Sequence, residues 1–347
     1  MNSAKNAPNQ AKLIPEMGLK DRNTFGLESC AELAYEITAA DQLPELFQMI
    51  HDQNLPWRVL GGGSNVILPE RLLGVTLLMN IQGQELIDSD DQAVFISVGA
   101  GVNWHEFVSW NLEQNLSGLE NLALIPGTVG AAPIQNIGAY GVEIGEYIHS
   151  IEAYDSIAHG FVTIPQEACQ FAYRDSYFKH NPNRFIVTRV VFKIPKTWVP
   201  RLQYAELAKQ FEDTNGMPPS AEEIFVAVCK VRTSKLPDPK VIGNAGSFFQ
   251  NPIVSYAQYE NLIRRFPQLA SYPDEPEKRK LAAGWLIDQC GFKGVTVGPV
   301  GVYKNQALVL VNYGNGTAKD ILDLAQHIQD KVHQTFGVSL LIEPNIL

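Results

Sequence analysis

The chain has 347 residues, 45% of them hydrophobic and 10% aromatic, which is enough for about two or three domains with real cores. Its formal net charge of −10, without a basic block, argues against nucleic acid or an anionic membrane as the main partner, because both bind clustered Lys and Arg. The four cysteines are scattered along the chain, and no two of them have the Cys-x-x-Cys spacing. A reducing cytoplasm is therefore expected, and no disulfide is needed. No apolar run approaches ~18 residues, so neither export nor membrane spanning is expected.

The first part of the chain reads as a mixture of helices and strands behind a loose arm at residues 1–18. Helices are predicted over 41–53 and 103–115, the second capped by Asn103, because apolar residues recur at helical spacing behind a polar cap. Strands are predicted over 57–60, 74–80, 93–100 and 184–194. The order lacks the strand–helix alternation of a Rossmann sheet, so the expected fold class is α+β.

A capping box marks the next helix, which is predicted within 220–239. Ser220 is followed three residues later by Glu223, and Pro237 must end the helix. The proline-rich exit predicts a domain boundary. Beyond it the pattern favours a compact αβ lobe. Helices are predicted over 256–266, 279–290 and 317–336, and strands over 307–312 and 338–343.

The seven histidines stand apart and form no metal-binding spacing such as H-E-x-x-H. His327 and His333 share a helical stretch but lie six residues apart, off the spacing of three or four that places side chains on one face. No metal site is expected, and these histidines read as solvated or capping residues.

The stretch "RVLGGGSNVIL" (58–68) places three glycines at the end of a predicted strand. Glycines let backbone N–H groups converge on an anion, and Ser64 and Asn65 can add side-chain donors to a pyrophosphate. The Rossmann fingerprint fails, because Val66 stands where the third glycine should be, and no phosphate-binding P-loop motif occurs. Alone, the loop fits a plain turn as well as a phosphate cradle.

A second stretch, "IPGTVGAAPIQNIGAYGVEI" (125–144), also contains several glycines, here among small apolar residues. Backbone of this composition can lie flat against a large planar ring beside Ile125, Ile134 and Ile137, while N–H groups meet the ring's heteroatoms. Two such loops in one αβ unit point to a dinucleotide cofactor bound without a Rossmann fold.

Ser247 lies in "GNAGSFFQNP", which contains no histidine. The nucleophile-elbow pattern fails because Ala245 and Phe249 stand where it requires glycines, although a distant histidine could still form a triad. From this segment alone, a turn serine before Asn251-Pro252 is the first interpretation.

Seven motifs in order resemble the UDP-N-acetylenolpyruvoylglucosamine reductases of peptidoglycan synthesis, type I, in which the substrate domain carries an extra tyrosine-bearing loop. They are "GGGSN", "IPGTVGAAPIQNIGAYG", "FAYRDSYFK", "KLPDP", "GNAGSFFQNP", "AAGWLIDQCGFKG" and "LIEP". The resemblance covers about residues 19–344. It implies a two-subdomain FAD-binding fold of the vanillyl-alcohol-oxidase/PCMH type plus a C-terminal αβ substrate-binding domain. The expected divisions are 19–73 and 74–234 for FAD, 235–342 for substrate, and a tail at 343–347 with the catalytic Glu.

The resemblance also implies the reaction. NADPH, the co-substrate, reduces noncovalently held FAD, and hydride then passes to C3 of an enolpyruvyl ether, which becomes the lactyl ether of UDP-N-acetylmuramate. Arg174 and a protonated Glu343 match the pair that stabilises negative charge developing toward C2, and Ser247 matches the proton donor to C2. Individually, Arg174 beside Asp175 is more often a surface ion pair, and Glu343 is more often a strand end.

Binding residues carry over in the same way. The expected FAD-binding residues are Gly61, Gly62, Gly63, Ser64, Asn65, Ile125, Gly127, Thr128, Ala131, Ile134 and Ile137. The expected substrate-binding residues are Tyr204, Lys235, Asn251, Lys293 and Gln306. Exposed lysines are more often only solvated, so Lys235 and Lys293 depend most on the resemblance.

Two departures and two rival functions accompany this interpretation. The tail reads "IEPNIL" where the family often has an apolar and then a basic residue, and Ala131 stands where a hydroxyl or glycine is common.

A flavin oxidase of the same fold and a non-catalytic sugar-nucleotide binder are the alternatives. The oxidases often tether FAD through His or Cys, and neither occurs in the two loops. A cytoplasmic monomer is expected, with the UDP-sugar and NADPH as partners.

Overall fold

The structure, a computed structural model, describes residues 10–212 and 217–347. Its helices are α1 (Leu43–Asp52), α2 (Trp104–Glu113), α3 (Ala205–Ala208), α4 (Ala221–Lys235), α5 (Tyr256–Arg265), α6 (Ala283–Gln289) and α7 (Ala318–Phe336). Its strands are β1 (Lys12–Gly18), β2 (Cys30–Ile37), β3 (Trp57–Leu60), β4 (Val66–Ile67), β5 (Arg71–Met79), β6 (Gln84–Ser89), β7 (Ala93–Gly99), β8 (Gly138–Ala139), β9 (Val142–Glu143), β10 (Ile148–Asp155), β11 (Gly160–Pro165), β12 (Phe185–Pro195), β13 (Gly243–Asn244), β14 (Ile253–Ser255), β15 (Ser271–Pro273), β16 (Lys278–Leu281), β17 (Thr296–Val297), β18 (Val300–Val302), β19 (Leu310–Asn312) and β20 (Asn345–Ile346).

The chain forms two compact units, and the first contains residues 31–62 and 73–232 together with the described part of 1–17. It holds a four-stranded sheet in the order β1-β2-β5-β3, with β3 parallel to β5, and a five-stranded antiparallel sheet in the order β11-β10-β12-β7-β6. Strand β12 is the middle strand of that sheet, and residues 186–188 and 190–192 are buried in two continuous runs, so both of its faces are covered. Helix α2 packs on it through Phe107, whose ring centroid lies 4.8 Å from that of Phe192.

The second unit contains residues 18–30, 63–72 and 233–347. It holds sheets in the orders β13-β19-β18-β17 and β14-β16-β15, and a short parallel pair of β20 and β4. Helix α7 buries one apolar face, which includes Ile321, Ile328 and Phe336. The ring of Phe336 lies 4.7 Å from that of Phe266, so α7 and the end of α5 share one core.

Three predicted helix starts are confirmed by their caps. The Asn103 side chain accepts the backbone N–H of Glu106 at 3.1 Å. Ser220 and Glu223 exchange hydrogen bonds of 2.8 and 3.2 Å, which is the capping box. Thr317 likewise accepts from the N–H of Asp320 at 3.2 Å at the start of α7. These signals are local, so the sequence alone reveals them.

The segment 18–30 packs into the second unit although 31–62 belongs to the first. The carbonyl of Phe25 accepts from Asn312 Nδ2 at 2.9 Å, and the Phe25 ring lies 6.1 Å from that of Phe248. The predicted first FAD-binding subdomain, 19–73, is therefore divided between the two units. Long-range packing of this kind leaves no periodic signal in the sequence.

Three predicted elements differ from the structure. Residues 12–18 of the predicted loose arm form strand β1, which pairs with β2; residues 1–9 lie outside the described part. The helix predicted over 279–290 begins only at Ala283, because residues 278–281 pair as β16 with β14 and β15. Instead of a strand, 338–343 makes a single bridge, between Ile342 and Phe249.

Candidate active site

The two glycine-rich loops approach each other inside the first unit. Strand β3 ends at Leu60, and a Cβ on Gly61 would lie 2.7 Å from Thr128 Oγ1. A Cβ on Gly62 would lie 3.1 Å from the Cα of Gly127. A side chain at Gly61 would therefore require the Thr128 hydroxyl to move, and one at Gly62 would press on the backbone of the second loop.

Backbone hydrogen bonds hold the second loop against the end of β7. The N–H groups of Val129 and Gly130 donate to the carbonyls of Val102 and Ala100, each at 2.9 Å. A Cβ on Gly130 would lie only 2.5 Å from the Ala100 Cβ, so this turn tolerates no larger residue. Four of the predicted cofactor-binding residues lie on or beside this turn, namely Ile125, Gly127, Thr128 and Ala131.

The loop continues into a segment held by side chains. Ser176 donates to the carbonyl of Ile134 at 2.6 Å, and the Ile137 carbonyl accepts from Ile144 at 2.9 Å. The buried Asn136 side chain accepts from the N–H of Gly145 at 2.9 Å. The predicted residues Ile134 and Ile137 therefore lie on rigid backbone, as a site for a planar ring requires.

His105 of α2 fixes the entrance to the second loop. Its Nδ1 accepts the backbone N–H of Leu124 at 3.1 Å, and its ring stacks on Phe225 at 5.4 Å. Burial lowers the pKa of His105, so the ring is neutral at pH 7 and can accept this bond. Leu124 has a φ of +56°, an uncommon conformation that this hydrogen bond helps to hold.

The remaining residues of the first loop, Gly63, Ser64 and Asn65, lie in the second unit. Gly63 has a φ of +60°, and a Cβ there would come 1.9 Å from the Arg22 carbonyl oxygen. The Asn65 side chain donates to the Glu343 carbonyl at 3.4 Å, and the Asn65 carbonyl accepts from Asn345 at 2.9 Å. These residues therefore lie beside the C-terminal tail.

Ser247 and Glu343 lie on two neighbouring extended segments of the second unit. The Glu343 N–H donates to the Phe248 carbonyl at 2.9 Å, and the Gln250 N–H donates to the Leu341 carbonyl at 3.0 Å. Phe248 and Phe249 are buried and anchor the segment, whereas Ser247 is exposed. The structure thus places the backbone segments of Ser247 and Glu343, 96 positions apart in sequence, side by side.

Arg174 of the first unit sits in a tight turn closed by two hydrogen bonds between Ala172 and Asp175, at 3.0 and 3.1 Å. Its φ is +54°, a conformation that non-glycine residues adopt rarely and that is concentrated at functional sites. Arg174 Nη2 donates to the Gly138 carbonyl at 2.8 Å. The neighbouring Asp175 pairs with His180 at 2.7 Å. The turn therefore orients Arg174 toward the second glycine-rich loop.

The predicted substrate residues occupy three places. Tyr204, in the first unit, stacks edge-on with Tyr140 at 5.1 Å. In the second unit, Asn251 Oδ1 accepts the N–H of Ala283 at 2.9 Å at the start of α6, and a Cβ on nearby Gly284 would lie 3.1 Å from the Gln306 side-chain oxygen. Asn251 and Gln306 therefore each lie beside the start of α6.

The two predicted lysines lie elsewhere in the second unit. Lys235 is the last residue of α4. Lys293 follows α6 and pairs with Asp288 at 3.5 Å, with 40% of its side chain exposed.

Within residues 10–212 and 217–347, no group of three or more His, Cys, Asp or Glu side chains could hold a metal ion. In the same ranges no helix has both the length and the apolar character needed to cross a membrane. Cys30, Cys169, Cys229 and Cys290 are not joined in disulfides. Burial raises the pKa of Cys169 to about 12, so this thiol is unreactive at neutral pH.

Comparison with known families agrees with this geometry. Residues 31–160 match the FAD binding domain family. Residues 238–347 match the C-terminal domain family of UDP-N-acetylenolpyruvoylglucosamine reductase. Gly61, Gly62 and the second glycine-rich loop lie within residues 31–160. Ser247 and Glu343 lie within residues 238–347.

Whole-chain relatives extend the match. A UDP-N-acetylenolpyruvoylglucosamine reductase of Polynucleobacter asymbioticus is 66% identical over 347 residues, which is all of both chains. The Burkholderia lata enzyme of that name is 48% identical over 96% of both chains. Among solved structures, the Thermus caldophilus reductase has a TM-score of 0.66 at 24% identity and covers 97% of this chain and 98% of its own, which supports the fold.

The similarity of this chain to solved oxidase structures is only distant. A solvent-stable cholesterol oxidase has a TM-score of 0.51 at 10% identity, covering 99% of this chain and 88% of its own, so it shares the fold alone. Identity of 66% over the whole length, by contrast, establishes kinship. The chain belongs to the UDP-N-acetylenolpyruvoylglucosamine reductase family, the FAD-containing oxidoreductases that act in peptidoglycan precursor synthesis.

Proposed function

We propose that Ser247, Glu343 and Arg174 carry out the reduction of UDP-N-acetylglucosamine enolpyruvate to UDP-N-acetylmuramate in this chain. When bound, FAD supplies a hydride, which originates from NADPH, to C3 of the vinyl group. The observation that carries the proposal is the backbone pairing of the Ser247 and Glu343 segments within the second unit. Hydride at C3 and a proton at C2 together add two hydrogen atoms across the double bond.

Stabilising charge is the task of Arg174 and Glu343. An enol ether accepts hydride poorly unless its carboxylate is held by donors that stabilise the negative charge developing toward C2. The Arg174 guanidinium provides a fixed positive charge, and the turn that holds it is rigid because both backbone groups of Ala172 bond to Asp175. Glu343, in its protonated form, donates a hydrogen bond to the same carboxylate.

Protonation at C2 is the task of Ser247. A serine hydroxyl is a weak acid, but a carbon with carbanion character is a strong base, so no histidine is needed to activate the hydroxyl. Gly246, at a φ of +70°, and the buried Phe248 hold the backbone on both sides of Ser247. The exposed hydroxyl is thereby presented from a rigid segment.

The proposed FAD site consists of the residues of the two glycine-rich loops. They are Gly61, Gly62, Gly63, Ser64, Asn65, Ile125, Gly127, Thr128, Ala131, Ile134 and Ile137. The support is the close approach of Gly61 and Gly62 to Thr128 and Gly127, which leaves a backbone surface that any added Cβ would fill. Because neither His nor Cys occurs in 58–68 or 125–144, we propose noncovalent binding.

Replacing Gly62 by alanine should weaken FAD binding by about tenfold or more, because its Cβ would press on Gly127 backbone and overpacking costs ~1–3 kcal/mol. Fluorescence titration of apoprotein with FAD measures the dissociation constant. Gly160→Ala is the matched control, since the nearest atom to its Cβ would be 3.9 Å away. Equal FAD affinity in the two variants would show that the close approach of the loops does not shape the site.

For the UDP-sugar we propose contacts from Tyr204, Lys235, Asn251, Lys293 and Gln306. The support differs among them: Asn251 and Gln306 each lie beside the start of α6, whereas Lys235 and Lys293 rest on the family motifs. We further propose a cytoplasmic enzyme that acts as a monomer, in keeping with cysteines that form no disulfide and with substrates that are small molecules.

A visible spectrum before and after acid precipitation tests the cofactor's identity and attachment. The purified protein should be yellow, and the yellow flavin should be released into the supernatant. Flavin that stays with the pellet would favour a tethered oxidase, and a colourless protein that cannot be reconstituted with FAD would favour a sugar-nucleotide binder.

A further inference from the structure

Two buried polar residues, Glu120 and Asn121, lie just before the second glycine-rich loop and have no part in the roles proposed above. Glu120 is 1% exposed, and its carboxylate accepts from the Gly118 N–H at 2.6 Å and from Trp198 Nε1 at 2.7 Å. Burial raises the pKa of Glu120, but each of its two oxygens faces a donor, as a buried carboxylate requires. A hydrogen bond to a charged group is stronger than one between neutral groups. Glu120 is therefore firmly linked to Trp198, 78 positions away.

Asn121 links the same part of the chain to the second glycine-rich loop. Its Nδ2 donates to the carbonyls of Arg201 and Tyr140, each at 2.9 Å. Its Oδ1 is buried and has no hydrogen-bond partner among residues 10–212 and 217–347. An unpaired buried oxygen is unfavourable, so the two N–H bonds are what this side chain contributes to the fold.

These contacts act on the segment that presents Tyr204. Residues 196–204 are all described, join β12 to α3, and form neither helix nor strand. Such backbone lacks the regular hydrogen bonds of helices and strands, so side-chain contacts determine how well it is held in one conformation. Trp198 and Arg201 belong to this segment, and the ring of Tyr204, at its end, lies 5.1 Å from that of Tyr140. The contacts of Glu120 and Asn121 thus hold the backbone that leads to Tyr204.

We propose that Glu120 and Asn121 are positioning residues that hold residues 196–204 in the conformation in which Tyr204 binds the UDP-sugar. This inference rests on the UDP-sugar contact proposed for Tyr204. Without these contacts the segment populates other conformations, and the apparent affinity falls in proportion to the fraction that can still bind. Saturating substrate restores the binding conformation, so KM rises while kcat stays near normal.

Trp198→Phe removes the indole N–H and keeps an aromatic ring in place. Calorimetric titration of the oxidised holoenzyme with UDP-N-acetylmuramate should show about tenfold weaker binding, as when about a tenth of the molecules keep the segment in position. Glu120→Gln should have a similar effect, because its amide turns an N–H toward one of the two donors. Trp110→Phe makes the same exchange at a half-buried position of α2 and should match the wild type.

Two double variants test the route of the effect. Glu120→Gln with Trp198→Phe should bind no more weakly than either single variant, because both changes break one bond. Tyr204→Ala with Trp198→Phe should differ from Tyr204→Ala by less than about twofold, because the position of the segment no longer matters once the tyrosine ring is gone. A merely structural role would make the losses multiply. Fluorescence titration with FAD should give the wild-type dissociation constant in the Trp198→Phe and Glu120→Gln variants.

Losses that multiply in either double variant would overturn the inference. Unchanged UDP-N-acetylmuramate binding in both Trp198→Phe and Glu120→Gln would also overturn it, as would loss of FAD from both, since the contacts would then support the whole unit. If only one of the two variants folds, the other decides. If Tyr204→Ala weakens binding and neither of them does, this inference alone fails. If Tyr204→Ala binds normally, the contact proposed for Tyr204 is wrong and the inference fails with it.

Discussion

Ser247→Ala should bind FAD and undergo flavin reduction by NADPH as the wild type does, yet turn over the UDP-sugar at least ~10²-fold more slowly, within the ~10²–10⁴ typical of a lost general acid. The reason is that only the second half of the reaction needs a proton at C2. Because Ser247 is exposed and its neighbours Phe248 and Phe249 carry the packing, the change should leave the fold intact.

Anaerobic rapid mixing separates the two halves. Flavin absorbance is followed first as NADPH reduces the enzyme and then as the reduced enzyme meets the UDP-sugar. Ser339→Ala, which removes an exposed hydroxyl from the same unit, is the control and should match the wild type in both phases. If Ser247→Ala slows flavin reduction as much as substrate reduction, Ser247 is structural.

Arg174→Ala and Glu343→Gln should each lower kcat by roughly a hundredfold or more, in line with ~3 kcal/mol for a key electrostatic group. Charge develops toward C2 only in the transition state, and both side chains are proposed to act on it there.

Lys235→Ala provides the contrast. The diphosphate charge is the same before and after hydride transfer, so this variant should mainly raise KM for the UDP-sugar. A smaller loss of kcat is compatible, because diphosphate binding also positions the vinyl group. Steady-state kinetics with the UDP-sugar varied at saturating NADPH decides the matter. Near-normal kcat in Glu343→Gln, or a kcat loss in Lys235→Ala as deep as that in Arg174→Ala with KM unchanged, would contradict this division of roles.

Local chemistry explains which parts of the fold were predictable. The caps at Asn103, Ser220 and Thr317 depend on residues three positions apart, so helix starts followed from the sequence. Strand β12 likewise followed from its run of β-branched and aromatic residues. By contrast, β16 exists because β14 and β15 pair with it, and the residues 279–281 alone do not show this.

Site residues divide in the same way. Glycine content indicated two loops, and the motifs identified Ser247, Arg174 and Glu343 as candidates. Nothing in the sequence showed that Gly62 meets Gly127 or that the Ser247 segment pairs with Glu343, because these contacts join distant parts of the chain.

The central claim is that the enzyme's reduced flavin is reoxidised by the enolpyruvyl sugar and not by oxygen. The most direct test mixes anaerobically NADPH-reduced enzyme with one equivalent of UDP-N-acetylglucosamine enolpyruvate and follows flavin absorbance. The account predicts that the oxidised spectrum returns fully without oxygen and that one equivalent of UDP-N-acetylmuramate appears, heavier than the substrate by two hydrogen atoms. A spectrum that stays reduced until air is admitted, with the sugar unchanged, would contradict it.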